Sequence, residues 1–179
     1  MIFDPETDII KLMQESRFDF VSKDDKTFIT AFDAALLERG WGIENNGHFK
    51  GYCWGRYMLI YCKLGVKAKK VAARIYLRDD SIVLRLFLNG MDKHRAFLES
   101  SPEHIKSVFL LGGGGDCRHC PDSGSRVNGR CIFRKNYTIE GQAVEKCNGA
   151  VFEFCQPNMQ KLPDYLALLD EFYTTKGRK

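Results

Sequence analysis

The amino-acid sequence predicts an α+β fold, with one antiparallel sheet of about five to six strands packed against N-terminal, middle and C-terminal helices. Segments with apolar residues at helical spacing lie first and last in the chain, whereas apolar residues at every second position lie in the middle. The strand–helix–strand alternation of a doubly wound parallel sheet is missing. A length of 179 residues, with 44% apolar residues, fits a single domain over residues 1–179.

Two helices are predicted at the start of the chain. Asp4, Pro5 and Glu6 indicate a helix start, because Asp caps, Pro suits the first helical position and an acid favours the positive helix end. A second helix is predicted from about Asp24 to Arg39, and Gly40 is its expected C-terminal stop.

The strongest strand signal is a hairpin over residues 71–88, with a tight turn at Asp79-Asp80. This turn aligns apolar pairs on one face, and that alignment specifies the register. The expected pairs are Leu77 with Ile82, Ile75 with Leu84, Ala73 with Leu86 and Val71 with Leu88. A further strand is predicted over Arg56–Leu64, just before the hairpin.

The second half of the chain continues with two short helices, a glycine run and a second hairpin. The predicted segments are helices at Asp92–Glu99 and from Pro102, a break at Gly112–Gly115, strands Arg130–Ile139 and Gln142–Cys147, a strand Val151–Cys155 and a helix from Pro163. The second hairpin is expected to turn at Glu140-Gly141.

Composition and charge predict a cytoplasmic protein without a membrane segment. The first residues carry acids where a secretion signal needs a positive and then an apolar region, and no apolar run approaches the ~18 residues of a membrane span. The net charge of +4 is too small for a dedicated nucleic-acid binder. An odd count of seven cysteines is typical of buried thiols and metal ligands in a reducing compartment.

The clustering of four cysteines predicts a structural zinc site within residues 116–150. Cys117 and Cys120 form a CxxC turn, which lets both sulfurs reach one tetrahedral ion, and Cys131 and Cys147 follow. A regular hairpin would place Cys131 and Cys147 on opposite sides of the ribbon, unless Cys131 lies ahead of the strand or a bulge turns one of them. His119 and Cys155 are the substitute ligands, and the alternatives to a metal are inert thiols or a redox CxxC pair.

The cysteine segment also carries a resemblance. The stretches CRHC, GRCIFRKNYTIEGQAVEKCNGAVFEF and PDYLALLDEFY, with ARIYLRDDSIVLRLFLNG upstream, resemble the C-terminal part of a group of bacterial proteins to which no activity is assigned. In that group the elements that match Cys117, Cys120, Cys131 and Cys147 occur together. The resemblance implies that these four cysteines form one unit, and it implies no activity.

The first hairpin predicts a second candidate site on the face opposite its leucines. Arg74 and Arg85 fall directly across from each other there, and like charges at facing positions are destabilising unless something negative bridges them. A covering acid or exposure to water would solve this, and so would a pocket for an anion with aromatic walls. The candidate ligand-binding residues are Arg74, Arg85, Tyr57 and Tyr76, with Phe87 and Tyr61 nearby.

No catalytic arrangement is evident, because His48, His94 and His104 lack a nucleophile or acid at a suggestive spacing. The favoured function is therefore a zinc-containing binding module for a small anionic ligand or a partner. The alternatives are a nucleic-acid-associated protein that uses the basic residues around the cysteines, and an enzyme of unassigned chemistry. The basic residues concerned are Arg118, Arg126, Arg130, Arg134 and Lys135.

Overall fold

A computed structural model describes residues 8–43, 55–111, 126–127, 130–131, 133–147 and 150–173. It confirms the α+β prediction, since a five-stranded antiparallel sheet and a two-stranded hairpin are combined with helices. The helices are α1 (Ile9–Gln14), α2 (Lys23–Glu38), α3 (Arg95–Ser100), α4 (Glu103–Leu110) and α5 (Leu162–Tyr173). In this described part of the chain, no helix is long and apolar enough to cross a bilayer.

The strands are β1 (Trp41–Ile43), β2 (Tyr57–Lys63), β3 (Val71–Leu77), β4 (Ile82–Phe87), β5 (Arg126–Val127), β6 (Arg130–Cys131), β7 (Lys135–Ile139), β8 (Gln142–Lys146) and β9 (Val151–Cys155). The large sheet has the order β1-β2-β3-β4-β9, and β5-β6 and β7-β8 form two small ribbons. The described residues form two compact units. The first ends at Phe87 and also includes Glu153–Ala167, and the second comprises Leu88–Phe152 and the residues from Leu168. The single domain stays a prediction.

The N-terminal helices form where capping residues begin them. Asp8 accepts hydrogen bonds from the backbone N–H groups of Ile10 and Lys11, so α1 begins at Ile9, and the predicted start at residues 4–6 lies outside the described residues. Ser22 caps α2 through the N–H of Asp25, within one residue of the predicted start. Gly40, with φ of +73°, ends α2 as predicted.

The register of the first hairpin is confirmed. Ala73 lies opposite Leu86, Ile75 opposite Leu84 and Leu77 opposite Ile82, and all six side chains are buried. The fourth expected pair, Val71 with Leu88, is not formed because β4 ends at Phe87. The leucine face of this sheet packs against α2, where the Phe32 ring meets the Tyr61 ring edge-on at 5.4 Å.

The second unit contains the hairpin β7–β8, whose turn at Glu140-Gly141 is also confirmed. Both turn residues have positive φ, and Ile139 lies opposite Gln142. Residues 130–139 do not form one continuous strand as predicted. Instead, Arg130–Cys131 pairs with β5 and the hairpin begins at Lys135. The Tyr137 hydroxyl donates to the Phe109 carbonyl at 2.6 Å and so fixes β7 on α4.

Candidate functional site

The candidate site is a row of residues that runs across four neighbouring strands of the large sheet. Ile60 on β2 lies opposite Arg74 on β3, and Arg74 lies opposite Arg85 on β4. Two backbone hydrogen bonds fix β9 beside β4: Gln156 donates to Ile82 at 3.1 Å, and Leu88 donates to Ala150 at 2.8 Å. These bonds place Glu153 opposite Arg85, and residues that lie opposite each other share a face of the sheet.

The positive charge of Arg85 is paired with a negative charge in the same row. Its guanidinium forms an ion pair with the carboxylate of Glu153 and lies 5.0 Å from the centre of the Tyr76 ring. The Arg85 side chain is 12% exposed and that of Glu153 is 34% exposed, so water screens the pair only in part. A carboxylate and an aromatic face together satisfy both the charge and the plane of this guanidinium.

Arg74 differs from Arg85 although the two face each other. Its guanidinium carbon lies 5.0 Å from the centre of the Phe87 ring, and the residue is half-buried. Its Nε atom, like the Nε atom of Arg85, is buried without a hydrogen-bond acceptor. The difference is that Arg85 has an ion pair with Glu153, whereas no acidic side chain in the described ranges forms an ion pair with Arg74. A buried donor without an acceptor is costly, so this position favours an additional acceptor.

The surroundings of the two arginines are apolar. Met58, Ile60, Cys62, Tyr76 and Val83 form a cluster on this face, and each is at most 5% exposed. Glu153 is the only acidic residue in β2, β3, β4 and β9. Two arginines and one glutamate therefore give the row a net charge of +1 on a face that is otherwise nearly dry.

Most of the residues predicted to share a face with Arg74 and Arg85 do so, but the prediction was wrong for two tyrosines. Arg74, Arg85, Tyr76 and Phe87 share the face as expected. Tyr57 and Tyr61 lie on the leucine face, because Tyr57 pairs with Leu77 and Tyr61 with Ala73. The segment between β2 and β3 carries no tight turn signal, so the register of these two strands could not be read from it. The Tyr57 ring instead packs on Phe18 at 5.0 Å.

The cysteine segment is only partly described. Cys117 and Cys120 lie outside the described residues, and of Cys131 only the backbone, in β6, is described. Cys147 follows β8 directly and its thiol is half-buried. Within the ranges that the structure describes, no group of three or more metal-ligating side chains is assembled. The zinc site stays a prediction.

A buried acid, Asp33, was missed by the sequence reasoning. It lies on α2 among Ile29, Phe32 and Leu36, and it is 3% exposed. Burial raises the pKa of Asp33 from its ordinary 3.8 to about 6, the nearby Tyr61 hydroxyl offsets part of this rise and Asp8 adds to it. The signal was present, because an acid at helical spacing within an apolar face is unusual.

A histidine–carboxylate pair in the second unit was also missed. His94 Nδ1 lies 2.7 Å from Glu171 Oε1, and the imidazole lies 4.0 Å from the Phe172 ring. The two partners are 77 positions apart in the sequence, so no local motif indicates this pair. Its described contacts attach the end of α5 to the turn at Met91–His94, which is a packing role.

One cavity lies elsewhere in the first unit. It has a volume of about 370 Å³ and is lined by the first turns of α2 and by residues 157–160. Of its acids, Asp25 already accepts a hydrogen bond from the Ser22 hydroxyl. The cavity contains none of the residues of the arginine row.

No protein-family model, curated protein or solved structure matches this chain. The resemblance of the cysteine segment to bacterial proteins therefore stays a prediction.

The buried Asp33 predicts a specific pH dependence of stability. Its folded pKa of about 6 exceeds the unfolded value, so the free energy of unfolding should fall as pH rises from about 4 to 6. The loss is about 3 kcal/mol, from roughly two pKa units at 1.36 kcal/mol each. Asp33→Asn should therefore be more stable than the wild type at pH 7 and similar to it at pH 4.

Urea denaturation at several pH values measures this difference between variant and wild type. Asp24→Asn, which changes an exposed acid on the same helix, is the control and should leave the pH dependence unchanged. A difference between Asp33→Asn and wild type that does not vary with pH would contradict the argument.

Proposed function

We propose that this protein is a non-enzymatic binding module whose large sheet binds a small anionic ligand through Arg74. The single observation that carries the proposal is that only one of the two facing arginines has an acidic partner among the described residues. Arg85 has a carboxylate partner in Glu153, whereas Arg74 has none among the described residues. The structure and chemistry of this row support binding and suggest no reaction.

Arg74 and Arg85 occupy directly facing positions on β3 and β4. Facing residues of antiparallel strands have Cβ atoms about 4.5–5.5 Å apart, and like charges at facing positions destabilise the sheet. The two guanidinium groups extend from there toward different rings, Phe87 for Arg74 and Tyr76 for Arg85. The apolar cluster around them reduces the screening by water, which makes the repulsion stronger. A bound anion at Arg74 would remove the repulsion and supply the missing acceptor for its Nε atom.

The neighbouring residues have distinct parts in this proposal. Phe87 lies against the Arg74 guanidinium and limits the directions in which it can point. Tyr76 does the same for Arg85, and Glu153 holds Arg85 in place. In this proposal Arg74 contacts the ligand and Phe87 positions Arg74, whereas Tyr76 and Glu153 position Arg85. Tyr57, which the sequence predicted as a ligand-binding residue, is not part of the proposed site because it lies on the other face of the sheet.

We further propose that a structural zinc ion is held by Cys117, Cys120, Cys131 and Cys147. Four cysteine thiolates complete the tetrahedral coordination that zinc adopts in structural sites. One observation supports this proposal. Cys131 belongs to β6, ahead of the hairpin, whose regular pairing begins only at Lys135. The geometric objection to a site shared by Cys131 and Cys147 applied only to a continuous strand from residue 130.

Nothing in the described residues favours the nucleic-acid alternative over anion binding. Arg134, one of the basic residues on which that alternative depends, forms an ion pair with Glu145 at 2.6 Å. A paired arginine contributes less to phosphate binding than a free one.

Replacement of Arg74 tests the anion proposal. The Arg74→Ala variant should weaken acetate binding at least about tenfold, since a charge-assisted hydrogen bond is worth about 1.5–3 kcal/mol. Acetate titration followed by backbone amide NMR of β3 and β4 measures the affinity. Lys67→Ala, which removes one exposed positive charge from the same protein, should bind acetate like the wild type. Equal acetate affinity in Arg74→Ala and wild type would refute the proposal.

Replacement of single cysteines tests the zinc proposal. The wild type should contain about one zinc per chain by elemental analysis, since four thiolates complete one tetrahedral site. Cys147→Ser should lose that zinc on dialysis against a chelator that the wild type withstands. Cys155→Ser is the control, because this exposed cysteine is outside the proposed set, and it should retain zinc. Zinc-free wild-type protein would rule the site out, and zinc loss in Cys155→Ser would rule out this ligand set.

A further inference from the structure

We infer that the ligand at Arg74 is a carboxylate with a single negative charge, and that Glu153 selects against dianions such as sulfate or phosphate. This inference rests on the proposed function and names its ligand class. It follows from three features of the row: its net charge, the position of Glu153 and the dryness of the surrounding face.

The charge of the row matches one negative charge and no more. The two arginines contribute +2 and Glu153 contributes −1, and Glu153 is the only acid in the four strands concerned. A bound monoanion brings the row to zero. A bound dianion leaves it at −1, which an apolar face disfavours because an unbalanced charge there is poorly screened.

The position of Glu153 makes this preference strong. Neighbouring strands lie about 4.8 Å apart, so Glu153 on β9 is two strands, or about 10 Å, from Arg74 on β3. Arg85 lies between them and already forms its ion pair with Glu153. Lys63, the other cation in these strands, donates its ammonium to the Arg39 carbonyl at 3.0 Å. A second negative charge at Arg74 would therefore meet the field of Glu153 without a further cation from the row to offset it.

The shape and hydration of the ligand also favour a singly charged carboxylate over a dianion. A planar carboxylate matches the planar fork of a guanidinium through two parallel hydrogen bonds. Met58, Ile60 and Val83 offer no polar groups to replace the hydration shell of an anion. Moving an ion into such surroundings costs more as its charge rises, so a singly charged carboxylate is accommodated and a dianion is rejected.

The experiment compares sodium acetate with sodium sulfate at matched ionic strength and chloride concentration, on the wild type and on Glu153→Gln. Backbone amide NMR of β3 and β4 reports binding. The wild type should bind acetate at least about tenfold more tightly than sulfate. Glu153→Gln should bind sulfate more tightly than the wild type does, so that the ratio of the two affinities falls at least about tenfold.

Two further variants test whether the preference depends on the negative charge at position 153 itself or on the total negative charge of the protein. Glu153→Asp keeps the charge and should keep the preference for acetate. If Glu153→Gln does not fold, the ratio of acetate to sulfate affinity in the wild type still tests the inference. Glu38→Gln removes an exposed negative charge outside the row and should leave the ratio unchanged.

The outcomes distinguish this inference from the proposed function. If sulfate binds at Arg74 as tightly as acetate in the wild type, or if Glu153→Gln folds and keeps the wild-type ratio, the inference is overturned and anion binding stands. If neither salt produces saturable shifts around Arg74, anion binding itself is wrong and the inference falls with it.

Discussion

The register of β3 and β4 is the constraint on which the arrangement of the arginine face depends. Leucine packing on one face fixes the β3–β4 register, and that register forces Arg74 and Arg85 together on the other face. An apolar cluster surrounds the two arginines, so their charges are not freely hydrated. Glu153 makes the arrangement tolerable by neutralising one of the two charges. The second charge, on Arg74, has no acidic partner among the described residues, and the proposed ligand would supply one.

Much of the fold could be predicted because its decisive signals are local. Two adjacent acids at Asp79-Asp80 and an alternating apolar pattern specify the first hairpin, and Glu140-Gly141 specifies the second. The β2 strand was predicted correctly, but Tyr57 was predicted on the face of Arg74 and Arg85 and lies on the opposite face. The chain between β2 and β3 contains no tight turn that would link their registers, and a shift of one residue exchanges the two faces.

The site was predictable only in part, because its partners are far apart in sequence. The facing of Arg74 and Arg85 follows from one hairpin, so the sequence alone indicated it. The pairing of Arg85 with Glu153 spans 68 residues and depends on β9 joining the edge of β4, which no local pattern indicates. Asp33 shows the converse case, since its place on the apolar face of α2 was visible in the helical spacing and was overlooked.

A crystal structure of the protein with p-bromobenzoate tests the central claim most directly, since bromine anomalous scattering locates the ligand without ambiguity. The account predicts a carboxylate within about 2.7–3.2 Å of the Arg74 guanidinium, with Arg85 still paired to Glu153. A structure in which a carboxylate of the protein itself occupies Arg74, and no bromine lies nearby, would contradict it.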